Sequence, residues 1–339
     1  MDTIYVERDV QEHARTKAIV RRFPKARIIY IDRYTEVFNP KAQNFRAQKK
    51  NPALILAARH GNLVLPAPPD YNIGGDHNYY FSHMMNCIYD CRYCFLQGMY
   101  ASANYVVFIN YDDFFSAITE TCQQHTKPTW FFSGYDCDSL ALEPVTGFVD
   151  ETLKLFSITP SAYLELRTKS TQIRSLLKHE PLENCVVAYS FTPSAIQTAV
   201  EHKTPSVEKR IQALEQLQAK GWKIGLRFDP LIKAENFREL YTELFNSLFD
   251  RLDVDKLHSV SLGPFRLPRP FFKKLITLYP DEPMFSERFE NKQNMVSYPE
   301  LEEAEMIQWC SDQLLRHISE DQFFPCVDSC VDNCVNSSG

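Results

Sequence analysis

The chain has 339 residues, 44% of them hydrophobic and 24% charged, with a formal net charge of −6, a composition that suits a globular core and excludes a disordered or fibrous chain. An acidic balance supplies no overall attraction to phosphate, so a nucleic-acid substrate would require a local basic surface. No apolar run approaches the roughly 18 residues of a membrane span, and Met1 to Val10 lacks the basic-then-apolar pattern of a signal segment. The expectation is a cytoplasmic protein without membrane association, whose ten cysteines serve metal or thiol chemistry rather than a disulfide framework.

In chain order, the first unit reads as a strand over Ile4 to Val6, a helix over Gln11 to Phe23 and a strand over Arg27 to Ile31. A polar stretch from Asn39 to Asn51 leads into the apolar segment Pro52 to Ala58. A regular alternation then begins. Strands are predicted at Tyr79 to Met85, Thr129 to Ser133, Ala162 to Arg167, Cys185 to Phe191, Lys223 to Phe228 and Ser259 to Leu262. Helical patterns lie between them at Asp112 to His125, Gly147 to Phe156, Thr171 to His179, Ser206 to Lys220 and Glu235 to Leu252. In the fourth of these, Ser206 caps the start, Val207, Ile211, Leu214 and Leu217 form one apolar stripe, and Gly221 ends it.

Strands alternating with helices imply a parallel sheet with right-handed crossovers. No Gly-rich phosphate loop follows the first strand, which favours a partial TIM barrel, (β/α)6, over a doubly wound sheet. The expected architecture is an α/β fold: an N-terminal α/β extension over residues 1–75, the partial barrel over 76–265, a helical C-terminal segment over 266–320 and a cysteine-containing tail over 321–339.

The most informative motif follows the first barrel strand. Cys87, Cys91 and Cys94 fall within eight residues and offer three thiolates with no fourth. Iron-sulfur clusters are ordinarily held by four cysteines, so a three-thiolate loop suits a [4Fe-4S] cluster with one iron open to an outside ligand. S-adenosyl-L-methionine, chelating through its amino and carboxylate groups, fits that vacancy, and electron transfer into its sulfonium would release a 5'-deoxyadenosyl radical. Tyr93 stands where such loops place an aromatic beside the adenine. Two other readings of the same residues are a structural zinc with His83 or Asp90 as fourth ligand, and reduced core thiols.

Reactive groups in such barrels gather at the carboxyl ends of the strands. Cys137 lies past the second predicted strand, Lys169 past the third, Ser190 late in the fourth and Asp229 past the fifth. With the cysteine loop, they are expected to converge on one rim.

Several stretches resemble the spore photoproduct lyases, radical S-adenosylmethionine enzymes that revert a thymine dimer in DNA. The cysteine loop continues as Phe95-Leu96-Gln97, and Cys137 lies 43 residues past Cys94 within Asp136-Cys137-Asp138-Ser139. Leu166 to Lys169, Ala188 to Phe191 and Pro205 to Arg210 add supporting matches. The resemblance implies that Cys137 donates a hydrogen atom to the substrate radical, that Ser139 positions substrate or cofactor, and that Lys169 and Ser190 contact the adenosyl donor. It implies a catalytic as well as a cofactor-binding role for Tyr93, and a reductant such as flavodoxin or ferredoxin as partner. Asp229 replaces a small residue near the cofactor and is read as a ligand of a ribose hydroxyl or a repeller of DNA phosphate.

The chain also departs from the family pattern. Phe95 stands where the family has a second tyrosine that helps return hydrogen to the adenosyl group, and phenylalanine has no O–H to give; Tyr135 and Tyr100 are the nearby candidates to replace it. Residues 281–305 show no sign of the family's basic, Gly- and Tyr-rich hairpin. Arg266, Arg269, Lys273 and Lys274, interleaved with Phe271 and Phe272, form the local basic group available for DNA, or else the charged face of an amphipathic helix. The same build acting on a modified nucleotide, an RNA or a peptide is the alternative function. The repeat Cys326, Cys330, Cys334 would line one face of a helix and hold a second metal or cluster, or else belongs to a disordered terminal tail, and Cys122, Cys185 and Cys310 read as core thiols.

Overall fold

A computed structural model describes residues 1–38, 43–68 and 71–326. Six parallel strands form the central sheet in sequential order: β1 (His77–Phe81), β2 (Thr129–Ser133), β3 (Ala162–Thr168), β4 (Cys185–Ser190), β5 (Lys223–Leu231) and β6 (Leu257–Pro264). A short strand, Leu65–Pro66, pairs antiparallel with β1 at one edge and β6 forms the other. Among the described residues these two edges do not pair with each other, so the barrel is partial, as the alternation of strands and helices predicts. All six residues of β4 are buried, the continuous apolar run expected of a parallel strand covered on both faces.

The crossover helices Tyr111–Gln123, Phe148–Ile158, Arg174–Lys178, Val207–Lys220 and Phe237–Phe249 fall where the periodicity puts them. Ser206 Oγ accepts from the Lys209 N–H at 3.4 Å, and Gly221 ends that helix at φ +103°, a left-handed value open to glycine without a Cβ clash. Val207, Ile211, Leu214 and Leu217 are all buried. Among the described residues no helix is long and apolar enough to cross a membrane.

The first predicted barrel strand divides. His77–Phe81 stays in the barrel, whereas Met84–Met85 turns away to pair with Tyr105–Phe108. The N-terminal sheet runs Arg27–Ile31, Thr3–Glu7, Leu54–Ala57, Tyr105–Phe108 and Met84–Met85, so it takes its last two strands from beyond residue 75. The apolar run Tyr79 to Met85 masked this break, because strands buried in two different sheets look alike in sequence.

Beyond β6, Arg266–Pro268, Met295–Ser297 and Glu290–Lys292 form a small antiparallel sheet. Its hairpin, where none was expected, turns on Gln293 and Asn294 at φ +45° and +63°. Positive φ at both central residues is the geometry of a type I′ turn, usually signalled by Asn-Gly; the absence of glycine hid it. The helix Arg269–Leu278 packs on the short helix Leu96–Met99 that follows the cysteine loop. Gly98 permits this approach, since a Cβ there would lie 2.4 Å from Phe271 Cβ and 2.7 Å from its Cα. Gly98→Ala is expected to lower stability by about 1–3 kcal/mol through overpacking, read as a lower urea midpoint; an unchanged midpoint would mean the two helices separate freely.

Candidate active site

One cavity of about 320 Å³ opens at the carboxyl ends of the strands and collects the groups expected there. Cys87, Cys91, Cys94, Tyr93, Cys137, Lys169, Ser190 and Asp229 all line it. Ser139 does not: it is buried behind the wall with its Oγ 2.6 Å from Ser133 Oγ. A Cβ on Gly134 would fall 2.6 Å from that same oxygen. Ser139 therefore packs under the Gly134 turn and shapes the wall from outside.

The cysteine loop is pinned from several sides. Asn86 enters it at φ +74°, a left-handed value that Asn tolerates better than most residues. Its Nδ2 donates to the Ser102 and Asn104 carbonyls at 2.9 and 3.1 Å, and its N–H donates to the Asp136 carbonyl at 2.8 Å. Cys91 lies on a two-residue strand, Asp90–Cys91, paired with Glu201–His202. Gln97 Nε2 donates to the Cys91 carbonyl. Asp90 is gripped by Lys49 at 2.7 Å and Arg92 at 2.8 Å, which hold its carboxyl below the usual range against the cost of burial.

These contacts test which group the thiols fit. Asp90 is committed to two cations. His83 is stacked on Phe148, with ring centroids 3.7 Å apart. No three described His, Cys, Asp or Glu side chains converge on the space of one metal ion, which a tetrahedral zinc site would require. The three thiols line one cavity close enough to interact, and three sulfurs with no fourth ligand suit a polynuclear iron-sulfur group. Burial pushes the Cys87 thiol up to about 12 and raises Cys91 and Cys94 as well, so a bound cation would have to supply the charge that stabilises the thiolates.

Cys137 follows β2 and lines the same cavity, 6% exposed, with Sγ 4.0 Å from His83 Nδ1. Burial, followed by the nearby Asp136, raises its pKa well above that of a free thiol. The sulfur keeps its hydrogen at neutral pH. Burial also pulls His83 down to about 3, so the folded protein holds it neutral while the unfolded chain takes up a proton near its ordinary pKa. Stability from this group is complete above about pH 6.5 and falls as pH drops toward 3, by about 1.4 kcal/mol per unit. Between pH 7 and 5 the wild type is expected to lose about 2 kcal/mol more than His83→Phe in denaturant unfolding; equal losses would contradict the neutral assignment.

Arg167 and Met295 line the cavity without having been singled out from sequence, and Cys326 lines it although it was expected on a helix. Arg167, on β3, donates to Tyr71 Oη at 2.6 Å and Ser190 Oγ at 3.4 Å and pairs with Asp229 at 3.3 Å. Asp229 thus faces a guanidinium, which offsets the carboxylate charge expected to repel phosphate. The signal was a guanidinium two residues past Glu165 inside an otherwise largely apolar strand. Cys326 also lines the cavity. It is extended beside β6, not helical: its N–H donates to the Leu262 carbonyl at 2.7 Å, and Arg266 Nη2 donates to its sulfur at 3.0 Å. Cys330 and Cys334 lie outside the described residues. Met295, from the hairpin, adds an apolar contact. Cys122, Cys185 and Cys310 are buried, as core thiols should be.

The basic group splits by environment. Arg269 and Lys273 are exposed on one helix face, whereas Lys274 turns inward to donate to the Tyr100 carbonyl. Phe272 enters the core and Phe271 reaches the cavity wall. Phe95 lies 5.5 Å from the Tyr135 ring, which also lines the cavity; Tyr100 does not.

A family model described as spore photoproduct lyase matches residues 74–294. The spore photoproduct lyase of Clostridium acetobutylicum is 24% identical over 206 residues, covering 60% of this chain and 61% of that protein. That of Bacillus subtilis is 22% identical over 198 residues, covering 57% and 58%. The chain thus spans about three fifths of the length of the curated relatives it matches. Among solved structures, a cysteine-to-alanine variant of spore photoproduct lyase superposes with TM-score 0.84 at 18% identity, over 96% of this chain and 98% of that one. A second variant, with bound AdoMet and dinucleoside spore photoproduct, gives TM-score 0.82 at 17% identity over 97% and 98%. The shared fold runs through nearly the whole chain, and with a family match across its barrel and cysteine loop this protein belongs to the spore photoproduct lyase family.

Proposed function

We propose that this chain is a radical S-adenosyl-L-methionine lyase that splits a methylene-bridged thymine dimer in DNA, with a [4Fe-4S] cluster held by Cys87, Cys91 and Cys94. The observation that carries this reading is the single cavity shared by those thiols and Cys137. Bound there, the cluster and the adenosyl donor supply a 5'-deoxyadenosyl radical as hydrogen abstractor.

The chain's own residues do the rest. The Lys169 ammonium faces the cavity as a partner for the donor's carboxylate, and Tyr93 presents its ring beside it, 5.6 Å from Lys169 Nζ. Ser190 and Asp229 offer polar contacts on the same rim, both tied to Arg167. Ser139 holds the Gly134 turn that borders the cavity. Cys137 gives its hydrogen atom to the carbon radical left on the opened lesion, the S–H bond breaking as the C–H bond forms; one electron from the reductant and a proton then return the resulting thiyl radical to the thiol, and burial keeps solvent away.

Arg269 and Lys273 supply the exposed positive charge for DNA phosphate, which sequence-independent binding requires. A flavodoxin or ferredoxin fits as the electron source. The same build acting on a modified nucleotide, an RNA or a peptide is the second reading. In its favour, the hairpin is short and its Lys292 is paired with Glu303 at 3.2 Å, which reduces its attraction to a duplex.

The test is anaerobic reconstitution with iron and sulfide, followed by dithionite, the adenosyl donor and the dinucleotide lesion. Release of the paired thymines supports the first reading. Cleavage of the adenosyl donor with the lesion intact removes it in favour of the second.

A further inference from the structure

Glu201 is shielded from solvent and does not line the cavity, yet it touches Cys91, Tyr93 and Lys169, which do. Its backbone pairs with Cys91, and the neighbouring His202 pairs with Asp90. The register continues into Arg92, whose N–H donates to the Val200 carbonyl at 2.8 Å. The Glu201 carboxylate accepts from the Tyr93 hydroxyl and from Arg210 Nη2, and lies 3.9 Å from Lys169 Nζ. Arg210 is fully buried. It carries the contact onward, donating to the Ser190 carbonyl at 3.0 Å, the Pro205 carbonyl at 2.9 Å and Thr204 Oγ1 at 2.8 Å.

One residue thus links the Cys91 backbone, the phenol before the third thiol and the lysine just past β3, and through Arg210 it reaches the end of β4. A residue with only a packing role has no need of a charge. We propose that Glu201 is the positioning residue of the cysteine loop, and that its negative charge behind Cys91 holds down the reduction potential of the iron-sulfur group the thiolates carry. This rests on the reading of those thiolates as cluster ligands. A buried carboxylate disfavours an added electron because the low-dielectric interior screens weakly, and here it offsets the Arg210 and Lys169 cations, which its loss would leave uncompensated beside the cluster. Groups behind a ligand orient it and tune the metal centre in this way.

Glu201→Gln separates charge from shape. The amide oxygen still accepts from Arg210 while its NH2 donates to the Tyr93 oxygen, so the loop stays in place and only the charge is lost. Tyr93→Phe does the reverse, cutting the tie to the loop and leaving the carboxylate charged. Both are to be compared with the wild-type full chain, reconstituted anaerobically, by iron content, redox titration and the rate of iron loss to a chelator.

The expected Glu201→Gln protein holds wild-type iron with its one-electron reduction equilibrium moved about tenfold toward the reduced form, a rise of about 59 mV. Tyr93→Phe is expected to lose iron several-fold faster at an unchanged potential. An unmoved potential in an iron-replete Glu201→Gln protein overturns the electrostatic role, and wild-type iron retention in Tyr93→Phe overturns the positioning role. Should Glu201→Gln fail to fold, the Tyr93→Phe rate decides the positioning role, and Lys169→Gln, which removes a cation that offsets the Glu201 charge, decides the electrostatic one: a lowered potential supports it and an unmoved one overturns it. A wild-type chain that holds no iron defeats the underlying cluster reading as well, and is distinguished by its missing absorbance.

Discussion

Cys137→Ala is expected to leave cleavage of the adenosyl donor running while lesion reversal falls by about 100-fold or more, a loss of at least ~2.7 kcal/mol in barrier terms. The cysteine loop and the rim of Lys169, Ser190 and Asp229 are untouched by this change, so the first hydrogen abstraction proceeds. The radical then left on the opened lesion meets a methyl group in place of a thiol. A carbon radical takes hydrogen readily from sulfur and poorly from an alkyl C–H. Cys137 is buried and held in its S–H form, so no thiolate interferes with the role at neutral pH. Cys137→Ser tests the same point without a cavity, since a hydroxyl O–H is too strong a bond to replace it. Chromatography of the dinucleotide products alongside 5'-deoxyadenosine reads both halves of the reaction. Wild-type yield of paired thymines from either variant would take Cys137 out of the mechanism.

Cys91→Ala is the second large effect. The reconstituted wild type should carry about four irons per chain, and the variant less than one. Cys91 is the most firmly fixed of the three thiols, buried, on a strand paired with Glu201, and with its carbonyl bonded by Gln97. Replacement by alanine preserves that backbone and removes one sulfur, so circular dichroism should hold while the brown colour disappears. A variant with full iron would show that the cluster, if present, is bound elsewhere.

Much of this site was legible in the sequence because its logic is local. The x3/x2 cysteine spacing names a ligand count, and each strand end delivers one functional residue to a rim whose position the alternation of strands and helices dictates. Less was legible where a residue acts through distant partners. Arg167 reads as a stray charge until Tyr71 and Asp229 close around it. Glu201 reads as a helix-end acid until Cys91, Tyr93, Arg210 and Lys169 are brought to it from three parts of the chain. Ser139 shows the opposite failure: its place in the chain suggested a contact residue, but its bond to Ser133 turns it away from the cavity. The hairpin at Glu290 to Ser297 escaped because its turn uses Gln-Asn. Cys326 suffered from its spacing, since every fourth residue suggests a helix, whereas hydrogen bonds to β6 hold it extended.

The measurement closest to the central claim is electron paramagnetic resonance of the anaerobically reconstituted, dithionite-reduced protein, recorded before and after addition of S-adenosyl-L-methionine. An iron with an unfilled coordination site predicts a reduced [4Fe-4S] signal that changes shape when the donor binds, and that is lost in Cys91→Ala. A signal indifferent to the donor, or a colourless protein with one tightly held zinc, would contradict it.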